Sequence, residues 1–134
     1  MRLAAVCMAT AIGCAAAGPR EPTCTVPADR AEIQQVQVGW QRLDPPLQRP
    51  IVDPRVPTRS PRDAEELASD LLAQCRKGAS MEQLQDRYSE VPGGTVVVGR
   101  RADVPYKSAA LCLKQNECAL IRSNIAFHVL KRIR

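Results

Sequence analysis

Six prolines crowd one stretch, "DPPLQRPIVDPRVPTRSP", at Pro45, Pro46, Pro50, Pro54, Pro57 and Pro61. Proline fixes φ and lacks an amide N–H, so at this density neither a helix nor a sheet ladder can run through the segment. The chain must therefore fold around a long loop. One element precedes it, and all the others follow. Loops of that length inside a small domain are usually functional or disordered. This one carries Arg49, Arg55 and Arg59, with Arg62 just beyond, read first as solvated cations.

Before the loop, "AEIQQVQVGWQRL" alternates Ile33, Val36, Val38 and Trp40 with Gln and Gly, and its later part predicts a strand of about 6–8 residues. After the loop comes the strongest helix. Ser60 can cap it, Pro61 suits the first turn and Asp63 completes a capping box. Ala64, Leu67, Ala68, Leu71, Leu72 and Cys75 form its apolar stripe, Arg76 and Lys77 favour its C-terminus, and Gly78 ends it. Ser80, with Gln83 three residues on, starts a second helix that carries Leu84 and Tyr88 and stops at "PGG". "TVVVG" reads as an extended run and "VPYKSAALCLKQ" as a short helix, with Asn116 suited to a left-handed turn. "ECALIRS" and "FHVLKRI" are two final strands joined at Asn124. The order β-α-α-β-α-β-β is that of an α+β fold, a small antiparallel or mixed sheet with helices packed on it.

The last strand holds the only histidine. Strand alternation puts Phe127, Val129 and Lys131 on one face and His128, Leu130 and Arg132 on the other. A lone imidazole there is either a packed polar residue, with the Ser123 hydroxyl as its partner, or part of a site.

At 134 residues the chain suggests one domain, and 45% hydrophobic residues suffice for a core built from Leu, Val, Ile and Ala, since aromatics are 3%. The net charge of +5 is not gathered into a basic stripe, and one Trp, two Tyr and one Phe offer little for bases to stack on, which argues against nucleic-acid binding. No C-x-x-C occurs and no histidine stands at ligand spacing from a cysteine, which argues against a zinc site. No cofactor is expected, and a monomer is.

The N-terminus, "MRLAAVCMATAIGCAAAG", has a positive start at Arg2, an apolar run from Leu3 to Ile12 and then small residues, the pattern of a signal peptide too short to span a membrane. "AIGC" resembles the bacterial lipobox, with Ala11 where leucine is usual, and makes Cys14 the candidate lipidated cysteine; cleavage after Ala17 is the alternative. Either way the protein is expected to be exported to the periplasm or cell envelope, with residues 1–14 as signal, 15–32 as a flexible tether and 33–134 as the folded domain. Lipid at one terminus would tether it without making it a membrane domain. In an oxidising compartment Cys24, Cys75, Cys112 and Cys118 allow three pairings. Cys112 with Cys118, flanking a helix-to-strand turn, is the favoured pair, and Cys75 could equally be a buried free thiol.

Three motifs, in order, resemble the parvulin family of peptidyl-prolyl cis-trans isomerases over roughly Val36 to Arg134. "RKGASMEQLQDRYSE" is similar to the family's Gly-Ala-x-Phe-x-x-Leu-x-x-x-Tyr-Ser-Asp, with Leu84, Tyr88 and Ser89 matching. "VPYKSAALCLKQNE" resembles Val-Pro-x-Phe-x-x-Ala-x-x-x-Leu-x-x-Gly-Glu through Pro105, Tyr106, Ala109, Leu113 and Glu117, with Asn116 replacing Gly. "AFHVLKR" resembles Gly-Tyr-His-Ile-Ile-Lys and puts His128 on the family's C-terminal histidine. The chain departs from the pattern where the family carries a first-strand histidine, a position that falls at or near Trp40. It departs again after the Tyr-Ser pair, where Glu90, read as a surface carboxylate ending a helix, and Val91 stand in place of the cleft Asp or Cys.

The resemblance implies an isomerase that needs no covalent step. Rotation about a peptide bond meets a barrier of about 18–20 kcal/mol, and an enzyme lowers it by binding the twisted imide more tightly than either planar form. A dry apolar cleft that strips hydrogen bonds from the carbonyl favours that twist. On this reading His128 and Ser123 supply polar groups beneath the cleft. Tyr106, Leu111 and Phe127 line it, and Arg49 and Arg55 favour an acidic residue ahead of the proline. The partners would be proline-containing unfolded or extended polypeptides, and the function would be to assist folding of secreted or envelope proteins. The competing reading is a parvulin-like binding or holdase module without catalysis.

Overall fold

A computed structural model of the protein describes residues 21–41 and 56–134. The expected signal peptide, Cys14, Arg49 and Arg55 lie outside the described residues. The elements are β1 (Arg30–Gly39), a short 3-10 turn (Val56–Thr58), α1 (Pro61–Arg76), α2 (Met81–Tyr88), β2 (Thr95–Gly99), α3 (Lys107–Cys112), β3 (Cys118–Arg122) and β4 (Ala126–Arg132). The fold is α+β, with one fully antiparallel sheet in the order β2-β1-β4-β3. β1 is longer than its later half suggested. Its first half is held by β2, Arg30 opposite Gly99 and Gln34 opposite Thr95, while its second half lies beside β4, Val36 opposite Val129 and Gln37 opposite His128. β1 and β4, the last strand of the chain, therefore form the centre of the sheet.

α1 forms for the local reasons its sequence supplies. The Ser60 hydroxyl accepts from the Asp63 N–H at 3.1 Å, and the Asp63 carboxylate accepts from the Ser60 N–H at 3.2 Å, closing the capping box. Gly78 leaves the helix at φ 90, a conformation that costs glycine nothing, and the Ala79 N–H returns to the Gln74 carbonyl at 3.0 Å. Asn116 takes the left-handed turn at φ 63 before β3, with its N–H on the Arg132 carbonyl at 2.7 Å.

Two apolar layers cover the sheet. On one face α1 and α2 bury Ala64, Ala68, Leu71, Leu72, Cys75, Met81 and Leu84 against Val36, Val38, Leu120, Phe127 and Val129. Each such leucine taken wholly out of water contributes about 1.5–3 kcal/mol. On the other face α3 packs Tyr106, Ala109, Ala110, Leu111 and Leu113 onto Ala31, Ile33, Ala119, Ile121 and Leu130.

The cysteines correct two expectations. Cys112 and Cys118 do not pair with each other. Cys24 is bonded to Cys112 and Cys75 to Cys118, so Cys75 is no free thiol. The Cys75 side chain points from α1 onto the sheet and meets Cys118 on the same face, whereas Cys112 ends α3 on the opposite face. The Cys24 link, with the Ala28 N–H on the Leu111 carbonyl at 2.9 Å, also fixes the segment before β1 to α3. The expected tether, drawn to residue 32, thus overlaps the folded body: β1 begins at Arg30 and Ala31 is buried.

Candidate functional site

The face under α3 gathers the polar residues. Successive strand residues point to opposite faces, so Gln35 and Gln37 of β1 and His128 of β4 share this one. The His128 ring is 2% exposed, with Nδ1 3.2 Å from Gln35 Oε1 and Nε2 3.0 Å from Ser123 Oγ. An amide oxygen only accepts, so Nδ1 carries a proton. Nε2 faces the Ser123 hydroxyl, and which of the two donates follows from the tautomer of the ring. That hydroxyl also sits 3.1 Å from the Ala126 carbonyl and accepts from the Ile125 and Ala126 N–H groups at 3.3 and 3.2 Å. The turn after β3 thereby presents the serine to the ring. Above, the Tyr106 ring lies 5.2 Å from the imidazole at 52°, 4% exposed, and its hydroxyl bonds the Gln35 side chain. Burial pushes the Tyr106 phenol above its usual 10.0, and the Gln35 bond opposes part of that rise. The result is a continuous chain, Tyr106–Gln35–His128–Ser123, that lies beneath an apolar helix.

Of the residues expected at the site, His128 touches both Ser123 and Tyr106. Leu111 belongs to the same apolar layer, as a core residue of α3. Phe127 does not belong there. As the neighbour of His128 along β4 it faces α1, where its ring is 5.4 Å from Trp40 and beneath the Arg122 guanidinium. Trp40 lies on that same far face, so it does not stand opposite the histidine. Gln35 and Gln37 do. Sequence reading passed over both, because a strand written "QQVQV" looks solvated on its glutamine side. The usable signal was two glutamines at period two, matched against a lone histidine in another strand.

Glu90 and Arg59 also correct the reading of solvated side chains. Both are 7% exposed, with Arg59 Nη1 3.6 Å from Glu90 Oε2. The Glu90 carboxylate accepts from the Gly39 N–H at 2.6 Å and from Gln37 Nε2 at 3.5 Å, while Arg59 donates to the Gly39 carbonyl at 3.2 Å. The Glu90 N–H reaches the Gln37 carbonyl at 3.1 Å, so the segment after α2 runs along the half of β1 that β2 leaves open. There the carboxylate meets strand amides rather than water. Arg59 is thereby committed to the fold beside the site.

Among the described residues no group of three or more His, Cys, Asp or Glu side chains could hold a metal ion, and no helix is long and apolar enough to cross a membrane. The chain matches no protein-family model, and no curated protein is significantly similar to it.

Proposed function

We propose that the protein is an exported peptidyl-prolyl cis-trans isomerase that binds X-Pro segments of secreted or envelope proteins during their folding, held at the membrane by lipid on Cys14. The observation that carries the reading is the hydrogen-bonded chain Tyr106–Gln35–His128–Ser123 at the floor of one sheet face, under an apolar helix. Isomerisation needs no nucleophile. It needs a dry apolar seat for the ring and a few fixed dipoles that favour the twisted imide. Tyr106 and its α3 neighbours offer the seat, and Gln35, His128 and Ser123 offer the dipoles.

The burial of His128 and Tyr106 favours a second reading. With both rings covered, a parvulin-like scaffold could hold extended polypeptide elsewhere on its surface without turning over an imide. Exchange NMR on short X-Pro peptides separates the two. The isomerase accelerates cis-to-trans relaxation, and the acceleration falls in Tyr106→Phe, which keeps the ring and removes only the hydroxyl. Peptide-induced shifts in the protein without any acceleration would leave a binding module.

A further inference from the structure

The two disulfides stand in opposite surroundings. Cys75 and Cys118 are buried between α1 and the sheet, whereas Cys24 is exposed and Cys112 is half-buried at the end of α3. Thiol–disulfide exchange requires a thiolate to reach a sulfur, so accessibility separates the two bonds before any other property does.

Little besides that exposed bond holds the segment before β1 in place. Residues 21–29 contain no helix or strand. Besides the disulfide, the segment is tied down by the Ala28 N–H to the Leu111 carbonyl at 2.9 Å and by an Asp29–Arg100 ion pair at 2.6 Å between two exposed side chains. Such a surface pair contributes about 0–1 kcal/mol. A cavity of about 430 Å³ opens between the segment and the end of α3, lined in part by Val26, Pro27, Leu111 and Cys112. α3 itself has six residues, and Tyr106 at its start makes no side-chain capping bond. A helix that short has no stability of its own and stays where packing and cross-links keep it. Tyr106 at one end of it covers His128, and Cys112 at the other end is the staple.

We infer that Cys24–Cys112 is a reducible latch that holds α3 down over the His128 face, opened by a dithiol reductant that leaves Cys75–Cys118 closed. One reductant thiolate attacks Cys24 Sγ, forming a mixed disulfide and expelling the Cys112 thiolate. The second reductant thiol then displaces Cys24. Two electrons and two protons pass to the protein, and the reductant leaves as its own disulfide. Segment 21–29 and the end of α3 come apart, and Tyr106 no longer seals the imidazole. As regulation this rests on the His128 face being the substrate site. As chemistry it stands without that reading.

The chain supplies a unique reporter for each face, since His128 is its only histidine and Trp40 its only tryptophan. The folded, oxidised full chain is treated with dithiothreitol without denaturant, quenched by alkylation and mapped by mass spectrometry. His128 carbethoxylation and Trp40 fluorescence are followed in parallel. Cys24 and Cys112 are expected to be labelled at least about tenfold faster than Cys75 and Cys118. His128 reactivity should then rise about tenfold with Trp40 emission unchanged, because only one face has opened. Reduction of both bonds at one rate, a change in Trp40 emission in step with His128, or His128 reactivity that does not respond would each overturn the latch. None of these readouts depends on isomerase activity, so an inactive protein with a working latch is told apart from an active one without it.

Discussion

Gly39 has no room for a side chain. A Cβ there would stand 2.7 Å from Glu90 Oε1 and 3.1 Å from Oε2, so the carboxylate occupies the space that a larger residue would need. Gly39→Ala is expected to cost about 1–3 kcal/mol in urea unfolding. Glu90→Ala is expected to cost about 3–5 kcal/mol, because it leaves the buried Arg59 guanidinium without that carboxylate. The two are in contact and should not add. In the Glu90→Ala background the Gly39→Ala penalty shrinks, and an undiminished penalty would mean that the obstruction lies elsewhere. Tyr106 gives a second test through pH. Its folded pKa is raised above 10.0, so its contribution to stability is fully present below the unfolded value and is lost as pH rises through the folded one. Unfolding midpoints across the alkaline range should therefore fall more steeply for the wild type than for Tyr106→Phe, which has no phenol to ionise.

At the scale of elements, most of what could be read from sequence was local. The capping box at Ser60 and Asp63 places the start of α1, and Ser60→Ala should lower stability by about 1 kcal/mol in denaturant titration. The Asp63 carboxyl sits below its usual 3.8, held there mainly by the Ser60 hydrogen bonds. That stabilisation is present above the ordinary value and fades as pH falls through the lowered one. In Ser60→Ala the fading should be weaker. The "TVVVG" run is β2 to the residue, and the order of elements holds throughout. What escaped depended on distant partners. The first half of β1 is a strand because β2 returns to it some sixty residues later, and "RAEIQQ" has no strong strand preference of its own. Glu90 and Arg59 read as solvated until Gly39 is seen between them. Four cysteines with three pairings carry no mark of which helix face each will occupy. The candidate site was legible in His128, Ser123 and Tyr106. It was illegible in Gln35, whose role appears only once β1 is laid beside β4.

At the scale of the molecule, both apolar layers are tied to other parts of the fold by sulfur. Cys75–Cys118 joins α1 to β3 across a separation of 43 residues, and Cys24–Cys112 joins the segment before β1 to the end of α3 across 88. From Cys24 to Cys112 the protein is covalently a closed ring, and the proline-rich stretch lies wholly inside it. A ring must be opened twice to fall apart. One proteolytic cut within residues 42–55 would therefore turn the protein into a two-chain molecule in which β1 belongs to one chain and its partners β2 and β4 to the other. Cleavage at a specific protease site introduced into that stretch should give a single band on a non-reducing gel and two on a reducing one. The cut product should keep the far-UV circular dichroism of the intact protein until the ring is also opened at sulfur.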